Sequence, residues 1–245
     1  MRLINGDCLV KMDKLIAEGV KVDAIITDPP YGTTACKWDS IIPFDEMWGR
    51  LKLLRKEKTP IVLFGSEPFS SALRMSNIKE FKYDWIWDKK KPSTGLHAKI
   101  MPLKDYENIL VFYKHYYYPV MEKTKERIDK SRKANNGEAF GGKDKLRQHK
   151  NNSLKYPRAI IKYFSNANQN NRFHPTQKPV ALMEYLIKTY TNENDIVLDF
   201  TMGSGTTGVA CKNLNRDFIG IELDKKYFEI AKDRIENHKV QERLI

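Results

Sequence analysis

The feature that most restricts the fold of this chain is a glycine turn between two apolar runs near its end. Residues 195–200 read Asp-Ile-Val-Leu-Asp-Phe, which predicts a buried strand, and the chain then passes through Gly203 and Gly205 into an apolar helix. Residues 218–223 predict the next strand, which carries Glu222 near its end. Strand, glycine turn, helix, strand and acid in this order are typical of a nucleoside-binding crossover in an α/β sheet.

This crossover is compatible with more than one ligand. Gly203, Gly205 and Gly208 match the dinucleotide pattern G-x-G-x-x-G, and Glu222 follows Gly203 by about 20 residues, a spacing at which an acid contacts ribose hydroxyls. Glycines let the backbone approach a ligand, and helix N–H groups from about Thr206 onward can bind a carboxylate or a phosphate. The motif alone leaves open an NAD-dependent oxidoreductase, and also a tight turn without a ligand.

A second motif, Asp28-Pro29-Pro30-Tyr31, follows the strand predicted at residues 22–27. It lies at the carboxyl end of a strand, where open α/β sheets build their sites. The prolines stiffen the loop and remove two N–H donors, so the loop presents a carboxylate, carbonyl oxygens and an aromatic ring. Asp28 and the Pro29 carbonyl can accept both hydrogens of an exocyclic NH2 group while Tyr31 stacks on the ring, as for adenine or cytosine. An ordinary proline turn is the alternative.

The distribution of charge points to a polyanionic partner. Helical and strand-like segments alternate in residues 1–113 and 173–245, which suits one large α/β domain, whereas residues 114–172 are only weakly periodic. Residues 114–172 hold 15 Lys and Arg against 5 Asp and Glu, and so contribute most of the net charge of +12. Interleaved cations and aromatic rings can bind phosphates and bases, so this segment predicts a DNA-contacting surface, with a solvated insertion as the alternative.

Together, these motifs resemble the beta class of the amino-methyltransferases of DNA. The resemblance covers nearly the whole chain outside residues 114–172. It rests on Asp28-Pro29-Pro30-Tyr31, on His174-Pro175-Thr176-Gln177-Lys178-Pro179, on Asp199-Phe200-Thr201-Met202-Gly203-Ser204-Gly205 and on Glu222. It implies a doubly wound, mostly parallel seven-stranded sheet with one antiparallel strand and helices on both faces. The catalytic half, residues 1–113, would precede the cofactor half, residues 173–245, in circularly permuted order, with residues 114–172 as a target-recognition insertion.

The resemblance also implies a chemistry, which is methyl transfer from S-adenosylmethionine to a base flipped out of double-stranded DNA. Asp at position 28 favours adenine N6 over the alternative, cytosine N4. The catalytic residues would be Asp28, Pro29, Pro30 and Tyr31. The cofactor residues would be Asp7, Cys8, Asp28, Thr176, Lys178, Asp199, Phe200, Gly203, Gly205 and Glu222. Asp7 can instead be a helix N-cap, and the His-Pro-Thr-Gln-Lys-Pro run can instead be the start of a helix.

The remaining expectations concern partners and location. Three distant cysteines and five scattered histidines predict a reduced protein without a metal site. No apolar stretch approaches the about 20 residues of a membrane helix, and no signal peptide is visible, so we expect a cytoplasmic protein without a membrane partner. The family resemblance allows a homodimer and a cognate restriction endonuclease. A DNA-binding module without catalysis is the alternative from another class.

Overall fold

The computed structural model describes residues 1–34, 39–89, 92, 98–124, 153–162, 164 and 177–240. Strands and helices alternate in about the first 80 residues and again after residue 177, as the sequence predicts, and the described elements between these two parts are strands. The strands are β1 (Arg2–Asn5), β2 (Ala24–Thr27), β3 (Ile61–Gly65), β4 (Phe81–Asp88), β5 (Tyr106–Phe112), β6 (Glu122–Lys123), β7 (Leu154–Lys155), β8 (Ile160–Ile161), β9 (Ile196–Asp199) and β10 (Asp217–Glu222). The helices are α1 (Cys8–Ala17), α2 (Phe44–Leu54), α3 (Phe69–Ser76), α4 (Val180–Tyr190), α5 (Thr206–Asn213) and α6 (Lys225–Glu236).

The main sheet has the strand order β1-β10-β9-β2-β3-β5-β4-β8. Strand β5 is antiparallel to both of its neighbours, and the other pairs are parallel. The mostly parallel sheet with one antiparallel strand is therefore confirmed. The two-residue strand β8 adds an eighth member, which the sequence did not predict because residues around it are only weakly periodic.

Helices cover both faces of this sheet, which explains why its central strands are continuous apolar runs. All four residues of β2 and all five of β3 are buried. One core contains buried residues of α1, α2 and α3, such as Leu15, Leu51 and Leu73. The other contains buried residues of α4, α5 and α6, such as Leu186 and Ile235. This is the doubly wound arrangement expected from the sequence.

The two strands of the last third of the chain, β9 and β10, lie between β1 and β2 in the sheet. Strand β9 pairs with β2, and β10 pairs with β1. As a result, the carboxyl ends of β2 and β9, which precede the two sequence motifs, are neighbours on the side of the sheet where the parallel strands end. The circularly permuted order of the motifs therefore still brings them to one place.

The chain divides into two compact units, one formed by residues Met1–Tyr118 and Ala159–Ile245 and the other by residues Pro119–Arg158. The second unit contains the antiparallel pair β6 and β7, in which Glu122 faces Lys155. This unit is shorter than the predicted insertion, residues 114–172. Residues preceding it belong with the first unit, where the Tyr118 N–H donates to the carbonyl of Thr189 in α4 at 2.8 Å. None of the described helices is long and apolar enough to cross a membrane.

Candidate active site

One cavity of about 580 Å³ collects most of the residues that the sequence singled out. It lies at the carboxyl ends of β2, β9 and β10, and its size is in the range of small-molecule sites. The predicted site residues that line it are Asp7, Cys8, Asp28, Pro29, Pro30, Tyr31, Lys178, Asp199, Phe200, Gly203 and Glu222. Gly205 is not part of the lining, and Thr176 lies outside the described residues.

The Asp28 carboxylate is held from two sides. The Tyr31 hydroxyl donates to Asp28 Oδ1 at 2.5 Å, and the Lys178 ammonium donates to Asp28 Oδ2 at 2.5 Å. Burial and the nearby Glu107 carboxylate raise the pKa of Asp28, although the Lys178 ammonium and the Tyr31 hydroxyl lower it. The Tyr31 ring stacks on Phe69 with centroids 5.0 Å apart, so Phe69 supports one face of the ring that we predicted to receive a base.

Asp28 belongs to a set of four buried or half-buried charges, which we call the charged quartet: Asp28, Lys89, Glu107 and Lys178. Lys178 Nζ lies 3.1 Å from Glu107 Oε2, and Lys89 Nζ lies 3.0 Å from Glu107 Oε1. Burial alone would raise the pKa of Glu107, but the two ammonium groups outweigh it and the pKa is lowered. Burial likewise opposes the charge of Lys178, but the two carboxylates raise its pKa. Lys178 was predicted from the sequence to lie beside the cofactor, whereas Glu107 and Lys89 were not among the predicted site residues.

Another residue missed by the sequence analysis organises the loop after the motif. Asp39 Oδ1 accepts the N–H groups of Tyr31 and Gly32 at 2.8 and 2.9 Å, and Asp39 Oδ2 accepts those of Thr33 and Thr34 at 2.9 and 2.7 Å. Burial raises the pKa of Asp39, but the hydrogen bonds from Thr34 and from the backbone outweigh it and the pKa is lowered. An acid after a glycine- and threonine-containing loop was the available signal, because such acids cap turns.

Asp199 connects the two motifs. The Thr27 hydroxyl, at the end of β2, donates to Asp199 Oδ1 at 2.6 Å, and the Thr207 hydroxyl, in α5, donates to Asp199 Oδ2 at 2.5 Å. Burial raises the pKa of Asp199 to about 6. In the same region, the Thr201 hydroxyl donates to the backbone carbonyl of Asp28 at 3.1 Å. The position of the Asp28 loop is therefore fixed by the residues of the glycine turn.

Glu222 faces the glycine turn from the end of β10. Its Oε2 accepts the N–H of Gly203 at 2.9 Å, and its Oε1 accepts the N–H of Asp224 at 2.8 Å. Burial raises its pKa to about 7, although both N–H groups lower it. Each carboxylate oxygen has a second lone pair, so Glu222 can also accept hydroxyl groups of a ribose.

The glycines of the turn have different functions. Gly203 has a φ of +53°, and a side chain added there would meet nothing within 4 Å, so the cavity wall is open at this position. Gly205 has a φ of +77°, and an added Cβ would lie 3.0 Å from Ala231 Cβ and 2.9 Å from Ile235 Cδ1. The close packing of α5 against α6 gives this glycine a structural role, and its contact with the cofactor stays a prediction.

Two further sequence assignments combine a structural and a site position. Asp7 caps α1 by accepting the N–H of Val10 at 3.1 Å, and it also lines the cavity. Pro179 is the N-cap of α4, so the run that contains Lys178 does begin a helix, and Gln177 accepts a hydrogen bond from Ser204 at 3.3 Å. The structural alternatives for these residues are therefore confirmed without excluding a role in the site.

The cavity suits a nucleoside joined to an amino acid. Glu222 supplies acceptors for ribose hydroxyls, and Gly203 leaves room for a ligand beside the backbone. Helix α5 begins at Thr206 without a side-chain cap, so its first N–H groups can bind a carboxylate. Asp28 lines the same cavity and can accept an amino group beside that ligand.

Comparison with known proteins agrees with this site. The family described as DNA methylase, of the N6/N4 type, matches residues 22–233. The Type II methyltransferase M.HpaI of Haemophilus parainfluenzae is 31% identical over 251 residues, which cover 96% of this chain and 74% of that protein. The DNA adenine methyltransferase YhdJ of Escherichia coli (strain K12) is 28% identical over 268 residues, which cover 96% of this chain and 82% of that protein.

Among solved structures, M1.HpyAVI in complex with S-adenosylmethionine (SAM) superposes with a TM-score of 0.65 and 31% identity, covering 96% of this chain and 98% of that one. The family match spans both the Asp28 motif and the glycine turn, whereas an NAD-dependent oxidoreductase would leave the Asp28 motif without a role. The chain therefore belongs to the N6/N4 family of DNA methylases.

Proposed function

We propose that this DNA methylase transfers a methyl group to the N6 atom of an adenine that is flipped out of double-stranded DNA. The observation that supports this most is the single cavity in which the Asp28 motif faces the Glu222 and Gly203 side. Aspartate at the first motif position favours adenine in the family that the chain resembles, and the similar YhdJ is named a DNA adenine methyltransferase. A base inside a duplex cannot enter such a cavity, so the target must leave the helix.

SAM is the cofactor of this reaction, and the residues that line the cavity described above suit this ligand. When bound, it supplies a methyl group on a sulfonium, which is a strong electrophile. Glu222 would hold the ribose hydroxyls, and the N-terminal N–H groups of α5 would hold the carboxylate. Such contacts would orient the ligand before the reaction, which lowers the entropic part of the barrier.

Asp28 and Pro29 prepare the amino group of the base. The nitrogen of an exocyclic NH2 group is a poor nucleophile because its lone pair is delocalised into the ring. Hydrogen bonds from both amino hydrogens, to the Asp28 carboxylate and to the Pro29 carbonyl, favour a pyramidal nitrogen with its lone pair free. After methyl transfer the nitrogen carries one proton too many, and Asp28, whose pKa is raised, can accept it and release it to solvent.

The basic segment supplies the affinity for DNA in this proposal. Residues 114–172 carry the excess of Lys and Arg, and phosphate contacts of this kind make binding strongly dependent on salt. The compact unit Pro119–Arg158 lies within this segment and would recognise the target sequence. A DNA substrate supports the cytoplasmic location expected from the sequence.

Mass analysis of methylated DNA tests the proposal directly. DNA that lacks methylated bases is incubated with the protein and SAM and digested to nucleosides. We expect N6-methyldeoxyadenosine. N4-methyldeoxycytidine would show that the alternative acceptor is correct, and the absence of both products from a folded, SAM-binding protein would refute methyl transfer. The digest therefore separates the adenine enzyme, the cytosine enzyme and the DNA-binding module without catalysis.

Two partners belong to the same proposal. The name of M.HpaI, a Type II methyltransferase, supports a cognate restriction endonuclease for this chain as well. DNA from a host that expresses the protein should then resist one endonuclease, whose site should match the motif found by methylation-aware sequencing. Light scattering of the purified chain tests the homodimer that the family allows.

A further inference from the structure

Within the charged quartet, the Lys178 ammonium occupies the Asp28 oxygen to which the amino group of the target base should bind in the proposed reaction. Both oxygens of Asp28 already accept hydrogen bonds, Oδ1 from the Tyr31 hydroxyl and Oδ2 from the Lys178 ammonium, each at 2.5 Å. Lys178 is 93% buried, since only 7% of its surface is exposed. An amino group that binds Asp28 Oδ2 must therefore compete with a buried ammonium.

Glu107 offers this ammonium a second carboxylate. Glu107 Oε2 lies 3.1 Å from Lys178 Nζ, but it accepts no hydrogen bond of good geometry from the residues that the structure describes. The other oxygen, Oε1, is fixed by the Lys89 ammonium at 3.0 Å. A buried acceptor without a hydrogen bond is unfavourable, so a small movement of Lys178 toward Glu107 would satisfy it.

We propose that Lys178 is a displaceable counterion of Asp28 and that Glu107 is the positioning residue that accepts it when the amino group of the target base binds. The proposal rests on the proposed function, because it concerns the same amino group. In the free protein the ammonium neutralises Asp28 and shares its charge with Glu107. In the complex with DNA it hydrogen-bonds to Glu107 Oε2 and leaves Asp28 Oδ2 to the base.

The electrostatics of methyl transfer give a reason for this movement. The amino nitrogen gains positive charge as the methyl group arrives, and an ammonium that remains on Asp28 would repel that charge. The same ammonium would weaken Asp28 as an acceptor, because it would use one of its lone pairs. Glu107 counteracts both effects by holding the cation at a second carboxylate, and Lys89 keeps that carboxylate in place. Charges in a buried site interact strongly, so this arrangement affects the rate.

A simpler alternative is that Glu107 only balances the charge of Lys89 and Lys178 in the folded protein. A double-mutant cycle separates the two. The single variants Glu107→Gln and Lys178→Met and the double variant are compared with wild type. The substrate is an unmethylated duplex that contains the sequence recognised by the protein. Initial rates give kcat and KM for DNA, and calorimetry gives the Kd of SAM.

We expect Glu107→Gln to leave Lys178 bound to Asp28 alone, so that KM for DNA rises and kcat falls. The ratio kcat/KM should then decrease by about tenfold or more. The Kd of SAM should stay within about twofold of wild type. In the Lys178→Met background the same substitution should change kcat/KM by less than about twofold, because the cation that Glu107 positions is absent. Such non-additivity is what a cycle detects for two residues that act together.

Equal losses from Glu107→Gln in both backgrounds would overturn the proposal, and so would a loss confined to SAM binding. Glu107→Asp guards against a folding failure, because it keeps the charge and should recover part of the lost kcat/KM. No recovery in a folded Glu107→Asp protein would also count against it. Glu80→Gln is the matched control, since it breaks the ion pair with Arg55, at 2.9 Å, at the opposite end of β4, and should leave both kinetic constants unchanged.

The outcome is distinguishable from a failure of the proposed function. If wild type transfers no methyl group to DNA, the proposed function fails before the cycle is read. If wild type is active and the cycle is additive, only the displacement of Lys178 is refuted.

Discussion

Asp39→Asn is the substitution that tests most directly how the Asp28 loop is held. The Asp39 carboxylate accepts four backbone N–H groups, and only 7% of the residue is exposed. An amide of the same size keeps one oxygen, so it can accept two of these N–H groups, while its NH2 group faces the other two. Hydrogen bonds to a charged group contribute about 1.5–3 kcal/mol each, so the loss of two amounts to about 3 kcal/mol at the lower limit.

A penalty of this size falls on a loop that can open without unfolding the sheet. Since each 1.4 kcal/mol corresponds to a factor of ten, we expect kcat/KM for DNA methylation to fall by about 100-fold. The midpoint of thermal unfolding should change little, because the sheet and its helices can stay folded when the loop opens. Asp45→Asn is the control, since Asp45 is exposed in the first turn of α2, and it should keep wild-type kinetics.

The pH dependence gives an independent check on Asp39. Its pKa is lowered in the folded protein, so its contribution to stability is present above the pKa of an unfolded aspartate. That contribution is lost as the pH falls through the lower, folded pKa. The variant should lack this part of the acid sensitivity. A variant that methylates DNA within about threefold of wild type would refute the idea that Asp39 positions the loop.

Three further predictions concern the cavity and the helix packing behind it. Asp28→Ala should reduce methyl transfer by about 10²–10³-fold while calorimetry finds unchanged SAM binding; full activity would contradict the mechanism. Gly205→Ala should lower the free energy of unfolding in urea by about 1–3 kcal/mol, because its methyl would crowd Ala231, and an unchanged value would refute the packing role. Burial raises the pKa of Glu222 to about 7. SAM affinity should therefore increase as the pH rises through about 7, because the ionised carboxylate is the better acceptor for ribose hydroxyls, and Glu222→Gln should remove this dependence. The raised pKa also affects stability, because the buried Glu222 side chain is more stable when it is protonated. Its contribution to the free energy of unfolding is fully present below the pKa of an unfolded glutamate and is lost as the pH rises through about 7.

The sequence was most informative where local chemistry determines local structure. The apolar runs predicted the strands, and the position of Asp28 after one of them predicted its place at the edge of the sheet. Gly203 was assigned to the cofactor, and it lines the cavity. Gly205 belongs to the same glycine pattern and also has a positive φ, yet its packing against α6 explains it. A glycine pattern therefore cannot separate contact with a ligand from contact with a helix that follows about 25 residues later.

Contacts between distant segments were beyond the sequence. Lys178 was recognised by its motif, but its partner Asp28 follows β2 and its partner Glu107 lies on β5. Nothing local relates a lysine before α4 to those strands. The pairing depends on the order of strands in the sheet, because β4, β5, β3 and β2 place their ends side by side. The charged quartet thus follows from topology, which residue spacing does not encode.

The same topology explains why the permuted order of the motifs does not matter to the chemistry. The active site requires that the ends of β2 and β9 be adjacent, and parallel pairing between these strands provides this whichever strand comes first in the chain. The contact between the motifs is then made by side chains, with the Thr27 hydroxyl on Asp199 and the Thr201 hydroxyl on the carbonyl of Asp28. Removal of the Thr27 hydroxyl should therefore disturb both the base side and the cofactor side, since one buried hydrogen bond supports the two together.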